Sequence, residues 1–384
     1  MLVDNSKPKR SISAFFFSYS AYIGVFSPYL GLWLNFRGFS PSEIGILMSP
    51  MQWSRVIAPP FWGWLADISG DPYLAKKLIG LSACCAVFSS TLLFFNWSLL
   101  SLFIILCLVS FFLSGHIPIV ESLAMNASKG NLGVYGKIRL WGSIGFIFAV
   151  LVGGFIFDFF GIKFIPHALF LSLILLIVFS VFLPQKKLQK KNENFLSPQK
   201  KLFTPKTANF LLASLFMLVA HAPLYTLFSL WLENNGYSRI EIGVIWTLGV
   251  LSEICFFYFQ SSFFKKFDVK KVWVLCFFVA SLRFFMILFS NGNLLVILFS
   301  QLLHAFTFGA HHSASMSIIN EWFPSDAQSR GQSLYTMMSY GIGGSVGGIM
   351  AGWIWENFSP QASFLMAVLA ALIGSFFAIK ALKS

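Results

Sequence analysis

LWLNFRGFSPSEIGIL, from Leu32 to Leu47, recurs 198 residues later as LWLENNGYSRIEIGVI, from Leu230 to Ile245. Eight of the sixteen aligned positions are identical. The same offset relates DFFG, which begins at Asp158, to ENFS, which begins at Glu356. Each copy joins one apolar segment to the next. The repeat therefore predicts two halves with the same membrane orientation, each with an even number of spans.

The composition predicts a polytopic membrane protein. Of the 384 residues, 57% are hydrophobic and only 11% are charged, whereas soluble domains carry about 25% charged residues. This excludes a large soluble domain and a disordered chain. A span needs about 20 apolar residues. We expect twelve spans, at residues 12–34, 44–66, 78–96, 99–122, 138–157, 163–184, 207–232, 242–264, 272–290, 293–318, 331–353 and 360–379.

The formal net charge of +13 is interpreted as membrane topology rather than as nucleic-acid binding. Cytoplasmic loops of membrane proteins carry an excess of Lys and Arg. With the N-terminus inside, the outer segments keep only Arg37, Lys163 and Arg239 of the 27 basic residues. The sequence thus predicts a multi-pass protein of a bacterial inner membrane, with both termini cytoplasmic. The first apolar run lacks a small-residue cleavage site and is expected to be a retained span.

The predicted fold is an all-α membrane protein of twelve transmembrane helices in two parallel six-helix bundles. We expect an N-terminal bundle at 1–184, a polar, lysine-rich cytoplasmic linker at 185–206, and a C-terminal bundle at 207–384. In this architecture the substrate site lies near the membrane midplane, between the bundles.

The loop after the second span resembles the signature loop of the major facilitator superfamily. It reads GWLADISG, with Gly63, then Asp67 four positions on, then Gly70. The basic residues that follow at once in the family are displaced here to Lys76 and Lys77. The resemblance implies a twelve-helix transporter in which these three residues form a conformational latch. The alternative is a solvated turn.

Ionisable residues inside a membrane are costly and mark candidate functional sites. Glu121 and Arg139 flank one loop at similar distances, so antiparallel helices would bring them to the same depth. We expect them to form a substrate clamp or a structural ion pair. Phe146 lies two turns after Arg139 on the same helix face and would stack on a substrate or pack in the core. Arg55 and Glu253 are related by the 198-residue offset, and both are expected to face the central cavity, where Arg55 would contribute to substrate binding.

Glu253, Arg283 and His304 are expected to meet near the midplane. A carboxylate beside an imidazole and a guanidinium is a group whose protonation depends on its neighbours. Proton coupling needs such a group, although a structural cluster is the alternative.

The stretch YGKIRLWGS at 135–143 and the eighteen-residue spacing of Glu121 and Arg139 resemble the oligosaccharide:proton symporter family, typified by lactose permease. This resemblance implies that the acid–arginine pair binds substrate. It also extends to functional residues of that family's eighth, ninth and tenth spans, which here are Glu253, Arg283 and His304.

The same stretch, a glycine-rich eleventh span and HAPLY at 221–225 resemble the phenylpropionate permease group, whose solute is an aromatic carboxylate. Two departures from the lactose permeases matter. Thr307 stands where they have a proton-carrying Glu, and Phe146 stands where they have a stacking Trp. We therefore expect Glu253 to carry the proton.

The expected function is proton-coupled symport of a small organic solute, with an aromatic carboxylate favoured and a sugar or nucleoside as the alternative. A non-transporting membrane sensor is the alternative of another class. The sequence has no HExxH, nucleophile elbow or phosphate loop, so we expect no enzyme activity and no cofactor. The adjacent His311 and His312 point in different directions on a helix and predict no metal site. The expected partners are the substrate, protons and the lipid bilayer, and the protein is expected to be a monomer.

Overall fold

A computed structural model describes residues 7–68, 74–129, 131–184, 202–324 and 328–384. Within these ranges the chain forms twelve successive helical rods. Their bounds are α1 Lys7–Phe36, α2 Pro41–Met48 and Pro50–Ile68, α3 Leu74–Thr91, α4 Leu99–Ser114 and His116–Ala127, α5 Leu132–Phe160, α6 Ile165–Val181, α7 Pro205–Asn234, α8 Arg239–Lys266, α9 Val269–Phe289, α10 Leu294–Leu302, Ala305–Ala310 and His311–Trp322, α11 Gln328–Thr336, Met337–Gly343 and Gly344–Asn357, and α12 Pro360–Lys383.

Each of the twelve predicted spans coincides with one of these rods, and most rods extend beyond the predicted span. Nine of the described helices are long and apolar enough to cross a membrane, and the remaining rods, α1, α2 and α11, cover similar lengths of chain. Many large apolar side chains are exposed on the outside of the protein, for example Phe88, Leu100 and Leu295. A surface of this kind suits contact with lipid acyl chains.

The sequence repeat produces two copies of the same helix start. Gly38 and Gly236 both adopt φ +87°, a conformation that favours glycine. Each is followed by a capping box in which a serine and the glutamate three residues later satisfy each other's backbone N–H groups. The serine–glutamate pairs are Ser40 with Glu43 and Ser238 with Glu241. The repeat is therefore visible as local structure at the start of α2 and of α8.

The rods pack as two six-helix bundles. In the first, α1 lies along α5 and α6, α2 and α3 pack on α4, and α3 packs on α6. In the second, α7 lies along α11 and α12, α9 packs on α12, and α10 contacts α8 and α9. The main contacts between bundles are α2 with α11, α5 with α8, and α1 with α7. The two cross-bundle pairs α2–α11 and α8–α5 are equivalent under the sequence repeat.

At the end opposite the chain termini, the bundles meet backbone to backbone. A Cβ on Gly45 of α2 would lie 2.6 Å from the carbonyl oxygen of Gly348, and one on Gly243 of α8 would lie 2.9 Å from that of Val150. The Tyr29 hydroxyl of α1 also donates to the Val150 carbonyl at 2.6 Å. This end of the molecule is closed by contacts that leave no room for side chains.

Two predicted features fall wholly or partly outside the described residues. Gly70 of the predicted latch lies in the gap after Ile68. The surroundings of Gly63 and the side chain of Asp67, both in α2, are also outside the described part of the structure. Residues 185–201 of the predicted linker are also outside the described ranges. The latch and the linker stay predictions.

Candidate transport site

Glu253, His304 and Arg283 converge inside the second bundle, on α8, α10 and α9. A carboxylate oxygen of Glu253 lies 3.6 Å from His304 Nε2. The Arg283 guanidinium donates to His304 Nδ1 at 3.0 Å. Arg283 is fully buried, whereas the side chains of His304 and Glu253 are 10% and 18% exposed. The structure thus brings these three predicted residues together in one chain of contacts.

Arg283 determines the tautomer of His304. A guanidinium has five N–H donors and no acceptor, so His304 Nδ1 must accept the hydrogen bond from Arg283. A neutral His304 then carries its proton on Nε2, the nitrogen that faces Glu253. Because the 3.6 Å separation exceeds hydrogen-bond distance, Glu253 can gain or lose a proton without breaking a direct bond to His304.

Three of the four remaining N–H donors of Arg283 are bound by uncharged groups. The guanidinium donates to the Ser300 carbonyl at 2.9 Å, and to Gln301 Oε1 and Thr307 Oγ1 at 3.0 Å each. No carboxylate among the described residues lies within ion-pair distance of it. Thr307, which replaces the glutamate of the lactose permeases, therefore accepts a hydrogen bond from Arg283 but does not neutralise its charge.

Thr307 extends the network to His221 of α7. Its hydroxyl lies 3.2 Å from His221 Nε2, and His221 Nδ1 lies 2.8 Å from the Met217 carbonyl. A carbonyl only accepts, so Nδ1 donates to it and Nε2 accepts from Thr307. The hydrogen bond to the Met217 carbonyl therefore fixes the tautomer of this second histidine. The buried chain runs from Arg283 through Thr307 to His221.

Glu121 and Arg139 meet at the same depth in the first bundle, with Arg139 Nε 3.4 Å from a Glu121 oxygen. The α5 helix begins at Leu132, so Arg139 lies two turns inside it rather than at its edge. The side chains of Arg139 and Glu121 are 45% and 38% exposed. The pair is therefore accessible, unlike the buried Arg283.

The Arg139 guanidinium lies over the ring of Phe16 of α1, with its carbon 5.1 Å from the ring centroid. Phe146, the predicted stacking residue, is partly buried against the hydrophobic core. Its role in binding substrate stays a prediction.

Arg55 of α2 reaches across the bundle interface to α11. Its guanidinium carbon lies 5.2 Å from the ring centroid of Tyr340. Tyr340 belongs to Met337–Gly343, a π-helical segment, and Ala305–Ala310, directly after His304, is another. Such segments are rare and occur frequently at functional sites.

The charged groups of the two bundles act on one another. The charge of Arg139 acts on Glu253 and on His312 of the second bundle. The charges of Arg55 and Glu253 both act on the phenols of Tyr225 and Tyr340. The charge of Arg139 therefore reaches the second bundle, and Arg55 contacts that bundle directly at Tyr340.

A row of stacked rings lies on α10 of the second bundle. His304 stacks on Phe308 with centroids 5.2 Å apart, and Phe308 stacks on His312 at 6.2 Å. His311, the neighbouring residue, instead stacks on Trp273 of α9. Within the described residues, no group of three or more His, Cys, Asp or Glu could hold a metal ion.

Sequence reasoning missed the uncharged members of the site. The sequence marks Thr307 only as a departure from the lactose permeases, and the search for ionisable residues does not find Gln301 or Tyr340. A search for neutral polar residues within one helical turn of the intramembrane ionisable residues finds Gln301 and Thr307, because both are three residues from His304. Tyr340 lies on a distant part of the chain, and its contact with Arg55 becomes visible only in the fold.

Twelve helices in two like-oriented bundles, with ionisable side chains between them, define a secondary transporter of the major facilitator type. The profile of the MFS_1 like family matches residues 9–366, and the chain belongs to that family. The chain is 27% identical to the uncharacterized transporter YwbF of Bacillus subtilis, and the match covers 92% of this chain and 89% of that protein.

The chain is also 24% identical to a probable 3-phenylpropionic acid transporter of Escherichia coli, across 93% of this chain and 92% of that protein. Among solved structures, it is similar to a point mutant of the nucleoside transporter NupG, with a TM-score of 0.83 and 17% identity, over 97% and 99% of the two chains. These relatives are transporters and not enzymes. The fold and the multi-pass membrane location predicted from sequence are confirmed.

Proposed function

We propose that this protein is a proton-coupled symporter of a small aromatic carboxylate in a bacterial inner membrane. Both termini are cytoplasmic, and the bundles rock about the site between them, joined by the linker at 185–206. Because the end opposite the termini is closed by Gly45–Gly348 and Gly243–Val150 contacts, the described state then faces inward. Latch residues Gly63, Asp67 and Gly70 would act at the cytoplasmic end.

The observation that carries proton coupling is the contact of Glu253 with His304. Because Arg283 donates to His304 Nδ1, this nitrogen cannot take up a proton. Glu253 is then the carboxylate of this group of residues that can bind one. A proton bound at Glu253 changes the net charge of the region between the bundles. A partly exposed carboxyl group at this position is suited to exchange protons with the open side of the molecule.

The balance of charged residues supports an organic anion as the solute. The proposed site contains three arginines and two glutamates, which leaves one positive charge to be neutralised. These residues are Arg55, Arg139, Arg283, Glu121 and Glu253. Attraction between opposite charges is strong where water is scarce. The similarity to a probable 3-phenylpropionic acid transporter supports the same substrate class.

A sugar or nucleoside is the second candidate substrate, favoured by the Glu121–Arg139 pair. An arginine fork and a carboxylate together can bind adjacent hydroxyl groups. The structural similarity to a nucleoside transporter is compatible with this alternative.

Counterflow in proteoliposomes tests the proposal. Vesicles loaded with unlabelled 3-phenylpropionate are diluted into labelled 3-phenylpropionate, and maltose or uridine is added as a competitor. We expect labelled acid to accumulate transiently inside the vesicles. Excess unlabelled acid added outside should reduce this accumulation, whereas maltose and uridine should not. Counterflow of labelled uridine or maltose in vesicles loaded with the same unlabelled compound, with no counterflow of the acid, would support the second candidate. Binding of the acid without any counterflow would indicate a sensor.

A further inference from the structure

Three arginines lie between or within the bundles at membrane depth, and they differ in what already neutralises them. Arg283 is fully buried and donates to Ser300, His304 and two further acceptors. Arg139 lies 3.4 Å from Glu121. A carboxylate that docked on Arg139 would face the negative charge of Glu121 at short range, and one that docked on Arg283 would have to displace buried hydrogen bonds.

Arg55 differs from both. Within the described residues it has no carboxylate partner and no hydrogen bond, and its guanidinium lies over the face of the Tyr340 ring, 5.2 Å from the ring centroid. Arg55 is partly buried. An unpaired guanidinium at membrane depth is costly, and an aromatic face offsets that cost only in part. The five N–H donors of Arg55 are therefore available to a ligand.

The surroundings of Arg55 suit an aromatic acid. The charge of Arg55 acts on the phenols of Tyr19, Tyr225 and Tyr340, which come from both bundles. Tyr225 in turn stacks near Trp246, with centroids 6.4 Å apart. A planar guanidinium binds a carboxylate through two parallel hydrogen bonds, and the neighbouring rings would contact an aromatic group attached to it.

We propose that Arg55 is the residue that binds the substrate's carboxylate. This inference rests on the proposed function, whose substrate class it refines. Of the three arginines, Arg55 is the one whose guanidinium lies on an aromatic ring of the opposite bundle, that of Tyr340.

The other accessible charges between the bundles are those of Arg139 and Glu121, whose side chains are 45% and 38% exposed. They would contact the rest of the solute.

The test compares 3-phenylpropionate with its amide, 3-phenylpropanamide, because the pair differs in charge and little in shape. Affinities are measured by isothermal titration calorimetry on the purified wild-type protein and on Arg55→Gln, Arg55→Lys and Arg139→Gln. A charge-assisted pair is worth about a ten- to hundredfold difference in affinity. We expect the wild-type protein to prefer the acid by about that factor and Arg55→Gln to bind both ligands almost equally.

Two variants separate binding of the carboxylate from general damage to the site. Arg55→Lys keeps the charge and should keep at least part of the acid preference, even if Arg55→Gln binds neither ligand. Arg139→Gln should weaken both ligands while the acid stays preferred. A full acid preference in Arg55→Gln, its complete loss in Arg55→Lys, or its loss in Arg139→Gln would overturn the assignment. A wild-type protein that binds neither ligand would instead overturn the proposed substrate class.

Discussion

Asp158 and Glu356 occupy equivalent positions in the two bundles, and each carboxylate caps the first turn of a helix in the opposite bundle. Asp158 accepts from the backbone N–H groups of Arg239 and Ile240, at 2.9 and 3.0 Å. Glu356 accepts from the Ser40 hydroxyl and the backbone N–H of Ser42, at 2.7 and 3.0 Å. Helix N-termini carry partial positive charge. The two caps therefore hold the bundles together at the end opposite the termini.

Asp158→Asn should shift the protein toward a state open at this end. Hydrogen bonds to a charged acceptor contribute about 1.5–3 kcal/mol, so losing the charge should raise the open fraction by about tenfold. The measurement is the distance between spin labels at Lys163 and Leu295, in a variant without the native cysteines.

Glu241→Gln is the matched control for this measurement. Glu241 caps the same helix start as Asp158 but belongs to that helix itself. We expect it to leave the label distance unchanged. Equal opening in both variants would show that the helix start, and not the cross-bundle contact, controls closure.

The Glu356 cap should respond to acid. Hydrogen bonds from Ser40 and Ser42 hold the pKa of the Glu356 carboxyl below its usual value, which is about 4.3. A lowered pKa means that the cap stabilises the closed state at neutral pH and loses this effect as the pH falls through the lowered value. In an Asp158→Asn background, label separation should increase in acid, and the additional Glu356→Gln change should abolish this pH response. A pH response that persists in the double variant would contradict the assignment.

Thr307→Val should destabilise the second bundle. The change removes the donor to His221 Nε2 and one acceptor of Arg283. A buried polar atom left without a partner costs about 1–3 kcal/mol. Thermal denaturation in detergent should occur several degrees lower than in the wild-type protein. Thr307→Ser keeps the hydroxyl and should denature close to the wild-type temperature, and a similar loss in both variants would rule out the hydrogen-bond chain as the cause.

Arg139→Gln should raise the KM for uptake by about tenfold or more, because it removes a charged donor that is accessible between the bundles. The protein should still reach the membrane in normal amount. Lys270→Gln is the control, since Lys270 forms an exposed ion pair with Glu321 at 2.6 Å, away from the proposed site. Unchanged uptake kinetics in Arg139→Gln would remove this residue from the substrate site.

Several features of the fold could be predicted because they follow from local composition. Apolar run length locates the twelve spans, and the repeat at 32–47 and 230–245 gives the relative orientation of the bundles. The meeting of Glu121 with Arg139 could also be predicted, because a short loop joins two antiparallel helices and fixes their depth. Helix geometry and distance from the turn are sufficient for that contact.

Other contacts depend on how distant helices rotate and cross. The sequence offset relates Asp158 to Glu356, but it does not reveal that each one caps the opposite bundle. Likewise, no local pattern places Arg55 on the ring of Tyr340, 285 positions away in the chain. Such contacts are set by the packing of α2 against α11, which the periodicity of either helix alone does not specify.

The most direct test of proton coupling is the comparison of accumulation with exchange in Glu253→Gln. Wild-type proteoliposomes with an imposed inward proton gradient should accumulate 3-phenylpropionate above its external concentration. Glu253→Gln should lose this accumulation, because the amide cannot take up and release the proton, while exchange of internal for external acid continues. Undiminished gradient-driven accumulation in Glu253→Gln would contradict the proposed mechanism.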